Sequence, residues 1–132
     1  MKESEFYAKL RSRLPGMPVR IENAISSGLP DIALFFEGRT YWIELKVGTM
    51  RPLFRPAQRV MHTRMRAQGI VSICLFLCGM DDVVEVHFLP GNSYTFNRGY
   101  LTLQDLPHKV IPLSRLSCDE ISSVLRESVV VM

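Results

Sequence analysis

Two carboxylates and a lysine lie in this sequence in a pattern that suits binding of a divalent cation. Asp31 precedes an apolar run at 32–36, and Glu44 and Lys46 lie in a second such run directly after it. Both runs are rich in aromatic and branched residues and are separated only by a glycine-containing turn, so they predict a β-hairpin. Carboxylate oxygens are the ligands that magnesium prefers, so the hairpin is a candidate metal site.

The register of the hairpin decides whether the three groups meet. A two-residue loop of Gly38 and Arg39 would place Asp31 opposite Lys46 and diagonal to Glu44. Side chains alternate along a strand, so all three would then share one face of the sheet. Diagonal neighbours lie roughly 7–8 Å apart, a distance that two converging carboxylates can close around one ion. A slip of one residue would scatter the three groups.

A simpler reading exists for each of these residues. Asp31, which follows a proline, would then only stabilise a turn, and Glu44 with Lys46 would be an ordinary surface pair. The run at 42–47 argues against this because it is otherwise typical of a core strand, where an uncompensated charge is costly.

A second pattern follows the hairpin, where Pro56 is well placed as the first residue of a helix that ends near Gly69. One stripe of this helix would be cationic and another apolar, packed on the sheet. The cationic stripe contains Arg55, Arg59, His62 and Arg66, and the apolar stripe contains Ala57, Val60, Met61 and Met65. With Arg51 in the preceding loop, the cationic stripe predicts a surface that follows a phosphate backbone, with a solvated helix face as the alternative.

These motifs together resemble a known family. Pro30-Asp31 followed by Glu44-Leu45-Lys46 resembles the signature of the PD-(D/E)XK nuclease superfamily. With Gly28-Leu29 before them and Arg55-Pro56-Ala57-Gln58 after them, they resemble more narrowly the virus-type replication-repair (VRR-NUC) nucleases of the stand-alone phage or bacterial type. The resemblance covers about residues 1–80. It implies an α/β fold, a restriction-endonuclease-like αβββαβ core with a central mixed sheet flanked by helices.

The resemblance also implies roles for individual residues. Asp31, Glu44 and the main-chain carbonyl of Leu45 would hold Mg²⁺ or Mn²⁺. Lys46 would orient or deprotonate the attacking water and offset phosphate charge, and Gln58 would contact the metal-bound water or a phosphate. Ser27, Arg51 and the cationic stripe would contact DNA. These roles together imply a metal-dependent deoxyribonuclease.

A further carboxylate ahead of the hairpin would complete the metal site. The resemblance favours Glu5, which precedes an aromatic residue, and Glu22 ranks equally with it. Glu3 ranks below both, although it lies better on the helical stripe of Tyr7 and Leu10.

Proteins that resemble this one and stand alone as a short domain are expected to be homodimers that cut branched DNA such as Holliday junctions. A two-fold axis would place two sites on symmetrically related strands. A helicase-like partner that supplies specificity stays open. The alternatives are a catalytically silent nuclease-fold DNA-binding module, or a protein-protein interaction domain that uses the methionine-containing helix and the apolar residues 129–132.

Composition sets broad limits. The 132 residues predict a single domain at 1–132, with a catalytic core at 1–80 and a C-terminal strand and helix at 81–132 that complete the fold. A net charge of +3 is only mildly basic, so DNA binding must be argued from where the charge lies. No apolar run reaches membrane-spanning length and no signal peptide begins the chain, so a cytoplasmic protein is expected. The three cysteines are interpreted as reduced core residues.

Local signals predict the remaining elements. Helices are expected at 4–14, at 56–68 and from Ser117 onward, where a capping box opens the last helix. Strands are expected at 19–24, 70–77 and 83–89, with the 70–77 strand covered on both faces because it is apolar at almost every position. Residues 49–54 are read as a loop, and residues 92–116 show no clear period.

Overall fold

The computed structural model of the chain describes residues 1–21, 28–50, 52–91 and 94–131. Its elements in chain order are α1 (Glu3–Leu10), a 3₁₀ helix (Arg11–Arg13), β1 (Met17–Arg20), β2 (Ile32–Phe36), β3 (Arg39–Gly48), β4 (Leu53–Phe54), α2 (Pro56–Ala67), β5 (Val71–Cys78), β6 (Val83–Leu89), β7 (Tyr94–Asn97), β8 (Tyr100–Leu103), β9 (Lys109–Pro112), a second 3₁₀ helix (Leu113–Arg115) and α3 (Cys118–Val130). Among the described residues, no helix is long and apolar enough to cross a membrane.

A six-stranded sheet forms the centre of the molecule, in the order β1-β2-β3-β5-β6-β9. The β3 and β5 strands are parallel, because α2 connects them as a crossover, and the other neighbours are antiparallel. A second, antiparallel sheet has the order β4-β8-β7. The order of helices and strands confirms the predicted αβββαβ core and its mixed central sheet.

Each face of the central sheet is covered by different elements. On one face, α1 and α3 pack through residues such as Phe6 and Leu125 onto Ile43, Ile73 and their neighbours. On the other face, the small sheet packs onto β5 in a cluster of Phe54, Cys74, Phe76, Leu89 and Leu103. The β5 strand is buried along nearly its whole length, which confirms the prediction that both of its faces are covered.

The β2–β3 turn lies one residue earlier than the sequence suggested. Its two central residues are Glu37 and Gly38, with φ of 51° and 74°, and Phe36 pairs with Arg39. Positive φ at both central positions is the geometry of a type I′ turn, which places glycine second rather than first. Arg126 of α3 donates to the Glu37 carboxylate and holds this turn. The predicted Gly38–Arg39 loop is therefore wrong, and each pairing shifts by two residues.

This correction preserves the predicted face and shortens the separation across the strands. A shift of two residues leaves the alternation of side chains unchanged. The pairing ends at Ile32 and Ile43, and the Asp31 N–H then donates to the Ile43 carbonyl, so Asp31 faces the Ile43–Glu44 segment and its side chain reaches Glu44 rather than Lys46.

Several short elements were not predicted. The loop at 49–54 contains β4, and the region 92–116 contains β7, β8 and β9 within its described part. These strands have two to four residues each, too few to display an alternating pattern, and they form through pairing with one another and with β6. Cys118 is exposed at the start of α3, so its interpretation as a core residue is wrong.

We predict that Gly16→Ala destabilises the fold more than Gly38→Ala does. Both glycines have positive φ, at 64° and 74°, where alanine costs about 1–2 kcal/mol. A Cβ atom at Gly16 would also lie 2.2 Å from the Phe35 carbonyl oxygen, whereas Gly38 has open space around it. Urea unfolding of the two variants measures the difference. Equal losses of unfolding free energy would show that the close approach at Gly16 is not a constraint.

Candidate active site

Asp31 is fixed by main-chain contacts at the beginning of β2. Its N–H donates to the Ile43 carbonyl at 3.1 Å, and its own carbonyl accepts from the Ile21 N–H at 2.7 Å. One carboxylate oxygen, Oδ2, accepts from the Leu45 N–H at 2.7 Å. The side chain is therefore held against β3.

Glu44 interacts with Asp31 and is only 2% exposed. Its Oε1 atom accepts a hydrogen bond from Gln58 Nε2 at 3.2 Å. Burial, followed by a hydrogen bond to Asp31 and the charge of that residue, raises the pKa of Glu44 to about 10. The two carboxyl groups therefore retain a proton at neutral pH unless a positive charge replaces it.

Gln58 connects the acidic and basic groups of the site. Its Oε1 atom accepts from Lys46 Nζ at 3.1 Å and from the Arg55 N–H at 2.9 Å. The second of these bonds caps the first turn of α2, which begins at Pro56. The same side chain thus positions the helix, the lysine and, through Nε2, the glutamate.

Lys46 follows Glu44 by two residues in β3 and shares its face. Besides its bond to Gln58, the ammonium group lies 5.0 Å from the centroid of the Phe54 ring, within cation–π distance. The ammonium group is therefore held at the edge of the carboxylate pair rather than extended into solvent.

These groups line a cavity of about 320 Å³ whose lining is almost wholly polar. Its floor is the β2–β3 pair, and one wall is the segment from Gly28, which approaches α2 so closely that a Cβ atom would lie 2.6 Å from the Ala57 carbonyl oxygen. The lining residues are Glu3, Ile21, Gly28, Leu29, Pro30, Asp31, Glu44, Lys46, Arg55 and Gln58.

Among the described residues, the carboxylate ahead of the hairpin that lines this cavity is Glu3. Partial burial and then the charge of Asp31 raise the pKa of Glu3, which shows that the two groups interact. Glu5 does not line the cavity, so the geometry favours Glu3, and a metal-binding role for Glu5 stays a prediction. The signal was present in the sequence, because Glu3 lies on the helical stripe with Tyr7 and Leu10. Glu22, Ser27 and Arg51 lie outside the described residues.

His62 does not belong to an exposed cationic stripe, so that prediction is wrong. The side chain is completely buried, and its Nε2 atom lies 3.5 Å from Glu44 Oε1. Burial, followed by the charge of Lys46, lowers the pKa of His62 to about 4, so the ring is neutral at physiological pH. Its Nδ1 atom has no hydrogen-bond partner among the described residues.

Arg66 is also not a free cation. Its guanidinium donates to the carbonyls of Leu89 at 3.4 Å and Val131 at 3.0 Å, so it ties α2 to β6 and to the end of α3. Arg55 and Arg59 are exposed, as is Arg64. The buried residues of α2 are Gln58, His62 and Met65, while Val60 is 44% exposed, so the predicted apolar stripe is corrected as well.

The donor set fits a magnesium-like ion with an incomplete shell of protein ligands. Among the described residues, no three Asp, Glu, His or Cys side chains group closely enough to hold a metal ion by themselves. Magnesium is commonly held by one or two carboxylates, with water and substrate phosphate completing its coordination. The neighbouring carboxyl groups of Asp31 and Glu44 in a polar cavity meet that requirement, and a cation there would offset the burial and the repulsion that raise the pKa of Glu44.

The arrangement of sheet and helices is the restriction-endonuclease-like nuclease fold, as predicted. A solved structure with a similar fold is that of Hjc, a Holliday junction resolvase from the archaeal hyperthermophile Archaeoglobus fulgidus. It matches with a TM-score of 0.51 and 13% sequence identity, over 91% of this chain and 99% of that chain. No protein-family model and no curated protein matches the sequence. The likeness shows the fold, and the narrower VRR-NUC resemblance stays a prediction.

We predict that the metal-free protein loses stability as the pH rises from about 4.5 to about 10, and that Glu44→Gln removes most of this loss. The pKa of Glu44 is raised in the folded state, so the unfolded chain releases this proton first and stability falls as the pH rises toward about 10. His62 has a lowered pKa, and its effect is confined to acid conditions, where stability falls as the pH decreases.

Urea unfolding in the presence of a chelator measures both curves. A wild-type curve as flat as that of Glu44→Gln would contradict the proton-retaining carboxyl pair. Because magnesium binding would replace the proton, added Mg²⁺ should raise the wild-type stability at pH 9 and have less effect on the variant.

Proposed function

We propose that this protein is a divalent-metal-dependent DNA endonuclease that hydrolyses phosphodiester bonds and is selective for branched DNA of the Holliday-junction type. The observation that carries the proposal is the array of Asp31, Glu44, Gln58 and Lys46 in one cavity. It combines a carboxylate pair suited to Mg²⁺ or Mn²⁺ with an ammonium group suited to a phosphate. The fold supports the proposal by analogy only, because function depends on the site.

Each residue of the array would have a separate role in the reaction. Asp31 and Glu44 would hold the ion, together with the Leu45 carbonyl. The Leu45 N–H already points toward Asp31, and the N–H and C=O of one strand residue point the same way. A bound divalent ion lowers the pKa of water and neutralises the charge of the leaving oxygen. Glu3 would contribute charge or a water-mediated contact from the cavity rim.

Lys46 is the group best placed to act on the attacking water or on the phosphate. Gln58 fixes its ammonium group, so the lysine need not lose further rotamer freedom when substrate binds. Gln58 itself would keep Glu44 and Lys46 at a constant separation. His62, buried one turn further along α2, lies 3.5 Å from the same Glu44 oxygen that Gln58 contacts and would further restrict the carboxylate.

DNA would approach along the exposed arginines at the beginning of α2. Arg55 lines the cavity, and Arg59 lies one helical turn further, 5.5 Å from the Tyr94 ring centroid. These cations would offset the repulsion between the carboxylates and a phosphate backbone.

We further propose a homodimer, because a two-fold axis would allow two such sites to cut symmetrically placed strands of a junction. A helicase-like partner is an additional proposal that the site itself does not require.

A nicking assay on supercoiled plasmid and on a four-way junction tests the proposal. Wild-type protein should cleave with Mg²⁺ or Mn²⁺ and not with a chelator. Asp31→Asn and Glu44→Gln should abolish cleavage and keep the fold, since the amide oxygen introduced by Asp31→Asn can still accept from the Leu45 N–H. Lys46→Ala should retain DNA binding and lose turnover by about 10²–10⁴-fold, the usual contribution of a positioned acid–base group.

Glu3→Gln and Glu5→Gln form a matched pair in the same assay. The first should reduce the rate and the second should not, because only Glu3 lines the cavity. DNA binding without any cleavage by wild-type protein would instead support the catalytically silent module. Absence of both would favour a protein-interaction domain, for which the exposed Val130 and Val131 near the C-terminus are the available surface.

We predict that Arg59→Ala reduces the salt dependence of DNA binding, measured in the Glu44→Gln background. Each arginine that contacts a phosphate releases counterions, so its loss should lower the log–log salt slope by about one. Arg115→Ala is the control, since Arg115 is also an exposed arginine and lies in the second 3₁₀ helix. If the two variants have the same slope on duplex and junction, Arg59 is an ordinary solvated cation.

A further inference from the structure

A second cavity of about 340 Å³ adjoins the candidate active site. It is formed by the end of β3, described residues on either side of Arg51 (49–50 and 52–53), and Phe76 of β5. Its lining residues are Glu3, Lys46, Val47, Gly48, Thr49, Met50, Pro52, Leu53 and Phe76. Two of these, Glu3 and Lys46, also line the first cavity, so the two spaces share a wall.

The two cavities differ in chemistry. The first is lined by ionisable and amide groups, whereas the second is walled mainly by apolar side chains. Met50 is 80% exposed and Leu53 is 52% exposed at its rim. Apolar groups left in water beside a charged site are typical of a surface that a bound molecule covers.

Lys46 connects the two environments. Its ammonium group hydrogen-bonds to Gln58, which lines the first cavity, and the same lysine side chain lines both cavities. A nucleotide has the same division, because an anionic phosphate is joined through a sugar to a flat base with apolar faces. A phosphate beside the ammonium group would therefore have its own base within reach of the apolar walls, and the Thr49 hydroxyl would be available to the polar edge of that base.

We propose that the second cavity binds the nucleobase next to the scissile phosphate after that base has left the helical stack. The proposal rests on the proposed nuclease function and adds the form of DNA that the site accepts. A base paired in a continuous duplex cannot reach such a cavity. Extrusion is least costly where the base is already unpaired or unstacked, as at a branch point. The cavity would thus favour cleavage beside a branch or an unpaired nucleotide over cleavage of intact duplex.

The test compares Leu53→Ser with Val110→Ser. Both residues are exposed apolar strand residues, at 52% and 50%, but Val110 lies on β9, at the opposite edge of the central sheet from β1 and outside both cavities. The cleavage position is first mapped with wild-type protein and Mg²⁺ on a four-way junction and on a linear duplex. A 2-aminopurine is then placed at the mapped nucleotide, and its fluorescence is followed on binding to Glu44→Gln protein.

The expected result is a rise in 2-aminopurine fluorescence on binding, which Leu53→Ser reduces and Val110→Ser does not. The ratio of kcat/KM for the junction to that for the duplex should fall about tenfold in Leu53→Ser, in line with the loss of one base contact. Wild-type cleavage without a fluorescence change, or equal ratios in the two variants, would overturn the base site and leave the nuclease function intact.

Two other outcomes identify different faults. If wild-type protein cleaves none of these DNAs, the proposed function fails and the base site fails with it. If Leu53→Ser converts a dimer into a monomer in sedimentation measurements while Val110→Ser does not, the apolar rim is an interface between copies of this chain, and the nucleobase assignment is wrong.

Discussion

Burial of the Glu44 carboxyl group is the constraint on which the arrangement of the site depends. A carboxylate this far from water requires a proton, a hydrogen-bond donor or a cation, and here the Gln58 amide meets part of that requirement while the neighbouring Asp31 increases it. A hydrophobic residue in this position would be expected to pack at no net cost to stability. A buried acid close to a second acid therefore contributes little to folding stability. It is better explained as part of a binding site in which a cation from solution supplies the missing positive charge. This is the strongest reason to treat the cavity as functional.

The same constraint explains why α2 packs with a polar face inward. Amphipathic patterning assumes that a helix covers an apolar surface, and on that assumption Val60 should be buried and His62 exposed. The surface beneath α2 instead contains Glu44 and Lys46, so the helix presents Gln58 and His62 to it and leaves Val60 at the surface. A helix that packs over a buried ionisable group is thus a case in which the polar residues, not the apolar ones, indicate the inward face.

Elements that depend on a local sequence pattern could be predicted from the sequence, whereas contacts between distant segments could not. The apolar run of β5, the proline at the start of α2 and the alternation in β3 each determine their element locally, and the structure agrees with all three. The shared face of Asp31, Glu44 and Lys46 also follows from alternation. The prediction of this face remained correct although the predicted β-turn was wrong, because the register error was an even number of residues. The small sheet could not be predicted in the same way, because β4 pairs with a strand almost fifty residues later in the chain. Resemblance favoured Glu5 and Glu22 over Glu3, whereas helical phase favoured Glu3, and of Glu3 and Glu5 it is Glu3 that lines the cavity.

The main chain positions several groups of the site, and this has a consequence for comparison with other proteins. Asp31 is held by the main chain of β3, Gln58 caps the main chain of α2, and Gly28 permits the segment before Asp31 to approach that helix. Contacts of this kind depend on the path of the backbone, which a hydrophobic pattern can preserve while most residues change. A fold can therefore be shared with a resolvase at 13% identity without any requirement that the chemistry be shared. Chains that share this fold differ in the small set of side chains that the common backbone brings together. In this protein the set is a carboxylate pair, a glutamine that restrains it, and one lysine at the boundary between a polar and an apolar cavity.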